Sequence, residues 1–217
     1  MSSTVIWIPY RGDGGWRALN FEVAHRQAAS LGFPVWVHDS GDQPFSIART
    51  WNELGERDGW DRAILWGADF VLVDPSSVHA ALAVDHHWVF AFDRVSTLNA
   101  PATRIVHRHG PREFPPSNLP FGGIRVITRG MWETVGGYDS RFLGWGHEDR
   151  AHVHCVEMLC GPRLRVPGHM LNLWHPKRRQ LPSAAYFARQ EKNLGLLREY
   201  QAITDPGDLR RFLAARA

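Results

Sequence analysis

The chain has few cysteines, almost no lysine and no long apolar run, and each shortage removes a class of protein. Its two cysteines, Cys155 and Cys160, stand five apart on a segment of helical pattern. They share no face there and suit neither a local disulfide nor a metal clip, so reduced core thiols are expected. Lysine occurs only at Lys177 and Lys192, and every other one of the 25 basic residues is arginine. With 22 acidic residues the net charge is +3, and the planar arginine fork suits phosphate. The arginines are scattered, and no zinc-finger, leucine-zipper or RNA-binding aromatic motif occurs, which argues against a nucleic-acid surface. No apolar run approaches a bilayer span, and the N-terminal residues lead into a strand-like segment without a signal peptide's layout. A cytoplasmic protein without a membrane span is expected. No repeat, low-complexity tract or linker interrupts the 217 residues, which read as one domain.

Val5-Ile6-Trp7-Ile8-Pro9 reads as a buried first strand, followed by a glycine-rich loop to Arg17 and a helix over 18–31. Strand, glycine loop and helix is the layout in which α/β sheets bind nucleotides at their carboxyl edge. These glycines, however, match neither the dinucleotide fingerprint nor a P-loop. A second strand over 33–38 ends in Asp39 at the same edge, where an acid can accept hydrogen bonds from a base or ribose. A helix over 45–57 puts Arg49 and Asn52 three apart on one face. A third strand over 62–66 leads through Gly67-Ala68-Asp69 into the run Phe70-Val71-Leu72-Val73-Asp74-Pro75, with Asp74 expected to cap the next helix. The strand-like run 86–93 carries histidines that, like His107 and His109, lack a regular ligand spacing and read as surface or packing residues. Residues 99–120 show no period and read as a long loop or lid. Strands are expected over 124–127, 163–166 and 170–174. Helices are expected over 149–160, 183–200 and 205–217, the last peripheral.

The most informative stretch is Gly136 to Arg150, which packs two glycine clusters, an isolated Trp145 and the acid pair Glu148-Asp149 into one run. Glycines permit sharp turns and close approach to a ligand, so Trp145 between Gly144 and Gly146 reads as an aromatic platform on a mobile loop. At the start of a helix the two carboxylates meet the positive end of its dipole, where an ionised acid can accept a proton. Taken alone, such a pair is more often a helix cap.

The run resembles the Gly-Trp-Gly-Gly-Glu-Asp motif of the beta-1,4-galactosyltransferase-like glycosyltransferases and, more loosely, the matching region of the polypeptide N-acetylgalactosaminyltransferases. Phe121-Gly122-Gly123, Arg129-Gly130-Met131-Trp132 and Val135-Gly136-Gly137-Tyr138-Asp139 fit the same pattern, and His147 departs from it where the family has glycine. The resemblance implies a GT-A type α/β domain, Rossmann-like, with a mostly parallel sheet flanked by helices. It implies a nucleotide-binding half (1–95), a donor-sugar and acceptor half (121–180) and C-terminal helices (181–217). The implied activity is metal-dependent transfer of a hexose from a UDP-sugar to an acceptor hydroxyl, with inversion. Asp149 would be the base and Glu148 its acceptor-positioning neighbour, with Trp145 and Gly146 at the acceptor. Pro9, Arg11, Asp39, Arg49, Asn52, Ala68, Gly122 and Gly123 would contact the donor. The family's Asp-X-Asp metal motif is present only in part: Gly67 replaces the first acid, Ala68 follows, and Asp69 matches the second. His175, in a Leu-Trp-His-Pro-like segment, would complete a manganese or magnesium site, and Lys177-Arg178-Arg179 could grip the diphosphate. Because of Gly67, a catalytically impaired sugar- or nucleotide-binding protein on the same fold stays open. A basic nucleic-acid-binding protein is the weaker alternative.

Overall fold

The structure, a computed structural model, describes residues 3–42, 45–144, 146–176 and 184–216. In chain order the elements are β1 (Thr4–Pro9), α1 (Trp16–Ala29), β2 (Val35–His38), α2 (Ile47–Gly55), β3 (Arg62–Leu65), β4 (Phe70–Leu72), α3 (Ser77–Ala83), β5 (Trp88–Phe90), β6 (Arg94–Thr97), α4 (Ala100–His109), β7 (Arg125–Thr128), α5 (Arg129–Val135), α6 (Glu148–Cys160), β8 (Leu164–Arg165), β9 (His169–Asn172), α7 (Ala184–Ala202) and α8 (Pro206–Ala215). The main sheet has the order β2-β1-β3-β7-β5-β8, and a smaller sheet has the order β4-β9-β6. β1 pairs in parallel with β2 and β3, and β5 in parallel with β8. β7 alone runs the other way, between β3 and β5. The fold class expected from the sequence, a mixed α/β domain on a mostly parallel sheet, is what forms.

β1 is apolar from Val5 to Pro9, and these residues are all buried, as in a sheet covered on both faces. Trp7 centres an aromatic cluster, edge-on to Trp60 at 4.7 Å and to Trp132 at 5.3 Å. α2 packs on the same strand, its start fixed by the Ser46 side chain, which accepts the Arg49 N–H. Cys155 is buried and Cys160 half-buried, and both are free; burial pushes the Cys155 thiol up to about 12. Among the described residues no helix is long and apolar enough to cross a membrane.

Four expectations are corrected. The stretch 99–120 is not a loop throughout: Asn99 accepts the Ala102 N–H, a proline occupies the first turn, and α4 forms with only Thr103 and Val106 buried. So thin a buried stripe leaves little period to read. Asp74 does not cap α3; its carboxylate accepts from the N–H and hydroxyl of Ser76, a local turn that precedes the helix. α8 is not peripheral, since Leu209 and Leu213 are buried and Arg216 donates to the carbonyls of Val135 and Gly136 at the end of α5. α6 begins at Glu148 rather than Asp149. The strand β6, the helix α5 and the reversed direction of β7 have no counterpart in the sequence reading.

Candidate active site

Strand direction gathers the candidate residues at one edge of the main sheet. β1, β2 and β3 all end there, with Pro9 opposite His38 and Trp7 opposite Leu65. β7, being antiparallel, begins there, with Arg125 opposite both Leu65 and Phe90. Pro9, Arg11, Asp39, Ala68, Asp69, Gly122 and Gly123 therefore leave the sheet on one side, the carboxyl edge where open α/β sheets bind ligands.

The acid pair meets this edge from α6. Arg125, only 3 % exposed, donates to the Tyr138 hydroxyl and, at 3.2 Å, to Asp149 Oδ1. Tyr138 donates to the same oxygen at 2.9 Å. Burial holds the Tyr138 phenol well above its ordinary pKa, so it stays a neutral donor. Oδ1 is thus held from two sides, and Oδ2 lies against Gly122, where a β-carbon would collide with it. Glu148 differs. Only 8 % exposed, it is pushed up to about 7 by burial and then by the charge of Asp149, which overrides the helix dipole. The expectation that both acids are ionised is corrected for Glu148. Behind the network, His152 stacks on Tyr138 at 4.1 Å. Burial, helped by the charge of Arg125, lowers its pKa to about 3 and keeps the ring neutral.

Asp69 and His175 come together across the molecule, with Oδ2 3.5 Å from Nε2. Asn20, fully buried on α1, fixes the other carboxylate oxygen by donating at 2.9 Å, and also donates to the Trp174 carbonyl. His107 holds the Asn20 oxygen in turn at 2.7 Å. A carboxylate oxygen and an imidazole nitrogen at this spacing can share one divalent ion, whose bonds to such donors run about 2.0–2.2 Å. The pair is incomplete by itself. Gly67 cannot become the missing acid in place, because a β-carbon there would collide with the Phe70 ring. Among the described residues no group of three or more histidine, cysteine or acidic side chains is placed for a metal. Arg17 approaches His175 Nε2 to 3.3 Å.

Residues 112–168, about a quarter of the chain, match the family described as the N-terminal domain of galactosyltransferase. No curated protein sequence matches. Among solved structures, the catalytic domain of Drosophila beta1,4-galactosyltransferase 7 complexed with xylobiose is similar, with TM-score 0.58 and 12% identity, covering 89% of this chain and 80% of that one. A mutant of that protein with manganese, UDP-Gal and xylobiose gives 0.61 at 14% identity over 89% and 79%. Glucosyl-3-phosphoglycerate synthase from Mycobacterium tuberculosis, with manganese, UDP and glucosyl-3-phosphoglycerate, gives 0.53 at 10% identity over 95% and 82%. The chain has the GT-A glycosyltransferase fold. The resemblance read from the sequence is borne out at the level of this galactosyltransferase-like group, and the matched segment and the fold together support a glycosyltransferase.

Within this GT-A fold the remaining candidates take varied positions. Arg11 forks onto Asp39, Nε to Oδ2 at 2.7 Å, and holds that carboxyl below its usual range. Arg49 reaches Asp42 in the same loop at 2.6 Å. Asn52 faces away from both: its amide donates to the Tyr138 carbonyl and Ser140 and accepts the Tyr138 N–H, tying α2 to the glycine turn before the acid pair. A β-carbon at Gly137 would come within 2.6 Å of that amide oxygen, which explains one glycine of the motif. Gly146 has φ +106 and its carbonyl accepts from Asn193. His147 has φ 77, a conformation that favours glycine, so the family glycine at this position has a backbone reason. Trp145 and Lys177-Arg178-Arg179 lie outside the described residues. Sequence reasoning missed Arg125, Tyr138, Asn20 and Arg17. The one available signal was Arg125 itself, a charge inside the apolar run Ile124-Arg125-Val126-Ile127.

Proposed function

We propose that the chain transfers a hexose from a UDP-sugar to an acceptor hydroxyl with inversion, its 1–95 half holding the nucleotide and its 121–180 half the sugar and acceptor. The observation that carries this reading is the setting of Asp149. One oxygen is fixed by Arg125 and Tyr138 while the other lies against Gly122, so a single oriented oxygen is left to take a proton. Arg125 also sets a buried positive charge 3.2 Å from the carboxylate that would act as the base. Asp149 would deprotonate the acceptor hydroxyl as it attacks the anomeric carbon, through an oxocarbenium-like transition state of the kind known from glycoside hydrolysis. Glu148, buried beside it, would keep water from the base and orient the acceptor. Arg11 and Asp39 hold each other at the nucleotide edge and would exchange that pairing for contacts to the diphosphate and uridine.

Manganese or magnesium fits Asp69 and His175 as a two-donor site to be completed by the donor's own oxygens, and when bound it would neutralise charge on the departing diphosphate. Solved relatives of this fold hold manganese with UDP or UDP-Gal, which supports the choice of metal and nucleotide. Asn20 and His107 would keep Asp69 oriented for it.

The test is release of UDP from a panel of UDP-sugars with and without manganese, in wild type and in Asp149→Asn. The variant keeps size and hydrogen-bonding atoms but loses basicity, so transfer should fall about a hundredfold or more while UDP binding stays. An unchanged transfer rate would leave the acid pair a helix cap and overturn the reading. One observation favours the rival, a binding protein that has lost catalysis: the Phe70 ring fills the space of the missing acid at Gly67. UDP binding without turnover of any donor would decide for it.

A further inference from the structure

Next to the acid pair lies an arginine-lined cavity to which sugar transfer assigns no role. Its volume is about 320 Å3 and its walls are Leu119, Pro120, Phe121, Arg163 and Arg165. Phe121 directly precedes Gly122, the glycine against Asp149, and Arg165 pairs with Phe90 at the same sheet edge as the candidate site. The cavity is therefore continuous in the chain with the wall of the proposed base.

Arg165 differs from several other arginines of the chain. Arg11, Arg49 and Arg141 each meet a carboxylate at 2.5–2.7 Å. Arg165 has no carboxylate in ion-pair reach among the described residues. It lies 4.4 Å from the centre of the Phe90 ring and 4.9 Å from that of Phe92, and donates to the Phe92 carbonyl. Burial, and then the charge of Arg163, lower its pKa from the ordinary value. Arg163 gives its Nε to Glu157 and lies over the Phe121 ring, which carries Arg150 at 5.2 Å as well. That ring is nevertheless 42 % exposed. Stacking occupies the face of a guanidinium and leaves its N–H donors pointing outward in the plane, ready for a forked acceptor. Two neighbouring guanidinium groups drawn partly out of water repel each other, and an anion between them removes that cost.

We propose that this cavity is an anion subsite for the acceptor, in which Arg165 and Arg163 hold a phosphate or carboxylate group on the compound whose hydroxyl receives the sugar. Its assignment to the acceptor rests on the sugar-transfer reading, whereas the anion site itself does not.

The experiment titrates the full chain with inorganic phosphate at low salt, in wild type, Arg165→Gln, Arg163→Gln and a control, Arg94→Gln, at an exposed arginine outside the cavity. Wild type and the control should bind phosphate saturably. Each cavity variant should bind about tenfold more weakly or worse, the scale of one lost charge-assisted contact, with UDP affinity unchanged. Equal phosphate affinity in wild type and both cavity variants, or no saturable binding at all, overturns the proposal. Two variants guard against one that fails to fold, which circular dichroism detects. Tighter binding of phosphatidylcholine vesicles containing phosphatidic acid, lost in Arg165→Gln, would assign a lipid-borne acceptor, and phosphate binding without it a soluble one. In turnover, wild type should prefer a phosphomonoester acceptor over its neutral parent, and Arg165→Gln should not. Phosphate binding with no turnover of any donor would instead sink the transfer reading and the acceptor assignment while leaving the anion site standing.

Discussion

Replacing Glu148 by glutamine should make the protein more stable at neutral and mildly alkaline pH, an unusual result for a change in a candidate active site. Glu148 is buried at the start of α6 and its pKa lies near 7 rather than the ordinary 4.5, through burial first and the Asp149 charge second. In the unfolded chain the carboxyl ionises at its ordinary value, so between these two pH values the native state holds a proton that the unfolded state has released. Stability then falls as pH rises through this window, and the loss is complete above about pH 7. A separation of that size corresponds to about 3 kcal/mol in the fully ionised range. Glutamine has the same shape and no charge, so the variant lacks this loss. Urea unfolding of wild type and Glu148→Gln from about pH 5 to about pH 8 isolates the effect, since every other titrating group is common to both. The difference should be small at the acid end and grow to a few kcal/mol at the alkaline end. Parallel curves would refute the burial argument. A second check follows from the second cause: Asp149→Asn removes the neighbouring charge and should move the window to lower pH.

Asp69→Ala or His175→Ala should abolish the gain in UDP affinity that manganese gives, while UDP affinity with the metal chelated stays as in wild type; calorimetry with and without chelator reads both. His147→Gly should relieve a left-handed backbone of φ 77 and stabilise the fold by about 1 kcal/mol, or about 2–4 °C in Tm by calorimetry. His152 is buried neutral, with its pKa lowered to about 3. As pH falls below about 6.5 the unfolded state gains a proton that the native state refuses, and stability drops by about 1.4 kcal/mol per pH unit. His152→Phe should flatten this acid limb in urea unfolding, and an unchanged limb would count against the buried neutral ring.

What the sequence made legible was what depends on neighbours in the chain. The apolar run of β1, the proline and glycines after it, and the acid at the end of β2 each announce a strand end, and parallel strands bring those ends to one edge. That reasoning put the loop after β1 and Asp39 at one edge, whereas Pro9, Arg11 and Asp69 were singled out through the resemblance; all four leave the sheet on that side. Asn52 shows its limit. A helical spacing of three joined it to Arg49, yet its amide serves the turn at Tyr138, a contact 86 residues away. The histidine of the metal pair was found only through resemblance, because nothing local to His175 points to Asp69. α4 was lost for a different reason: a helix that buries only two of its residues has no stripe to detect.

The network at Asp149 shows why fold and chemistry become legible to different degrees. Its members come from the start of β7, the turn after α5 and the start of α6, and none gives a sign of the others in the sequence. Arg125 reads as an oddity in a strand, Tyr138 as part of a glycine-rich family pattern and Gly122 as a donor contact implied by the resemblance. Once β7 is reversed between β3 and β5, the first residue of that strand stands at the carboxyl edge, and a buried guanidinium there needs an acid or it would be a heavy loss of solvation. Asp149 supplies it. The same contact that makes the buried arginine tolerable also fixes one oxygen of the acid and leaves the other against Gly122. The antiparallel strand, the feature of the sheet that sequence pattern left unread, is therefore the one that turns a common helix-capping pair into a site with one acid held by a buried arginine and the other pushed up towards neutrality.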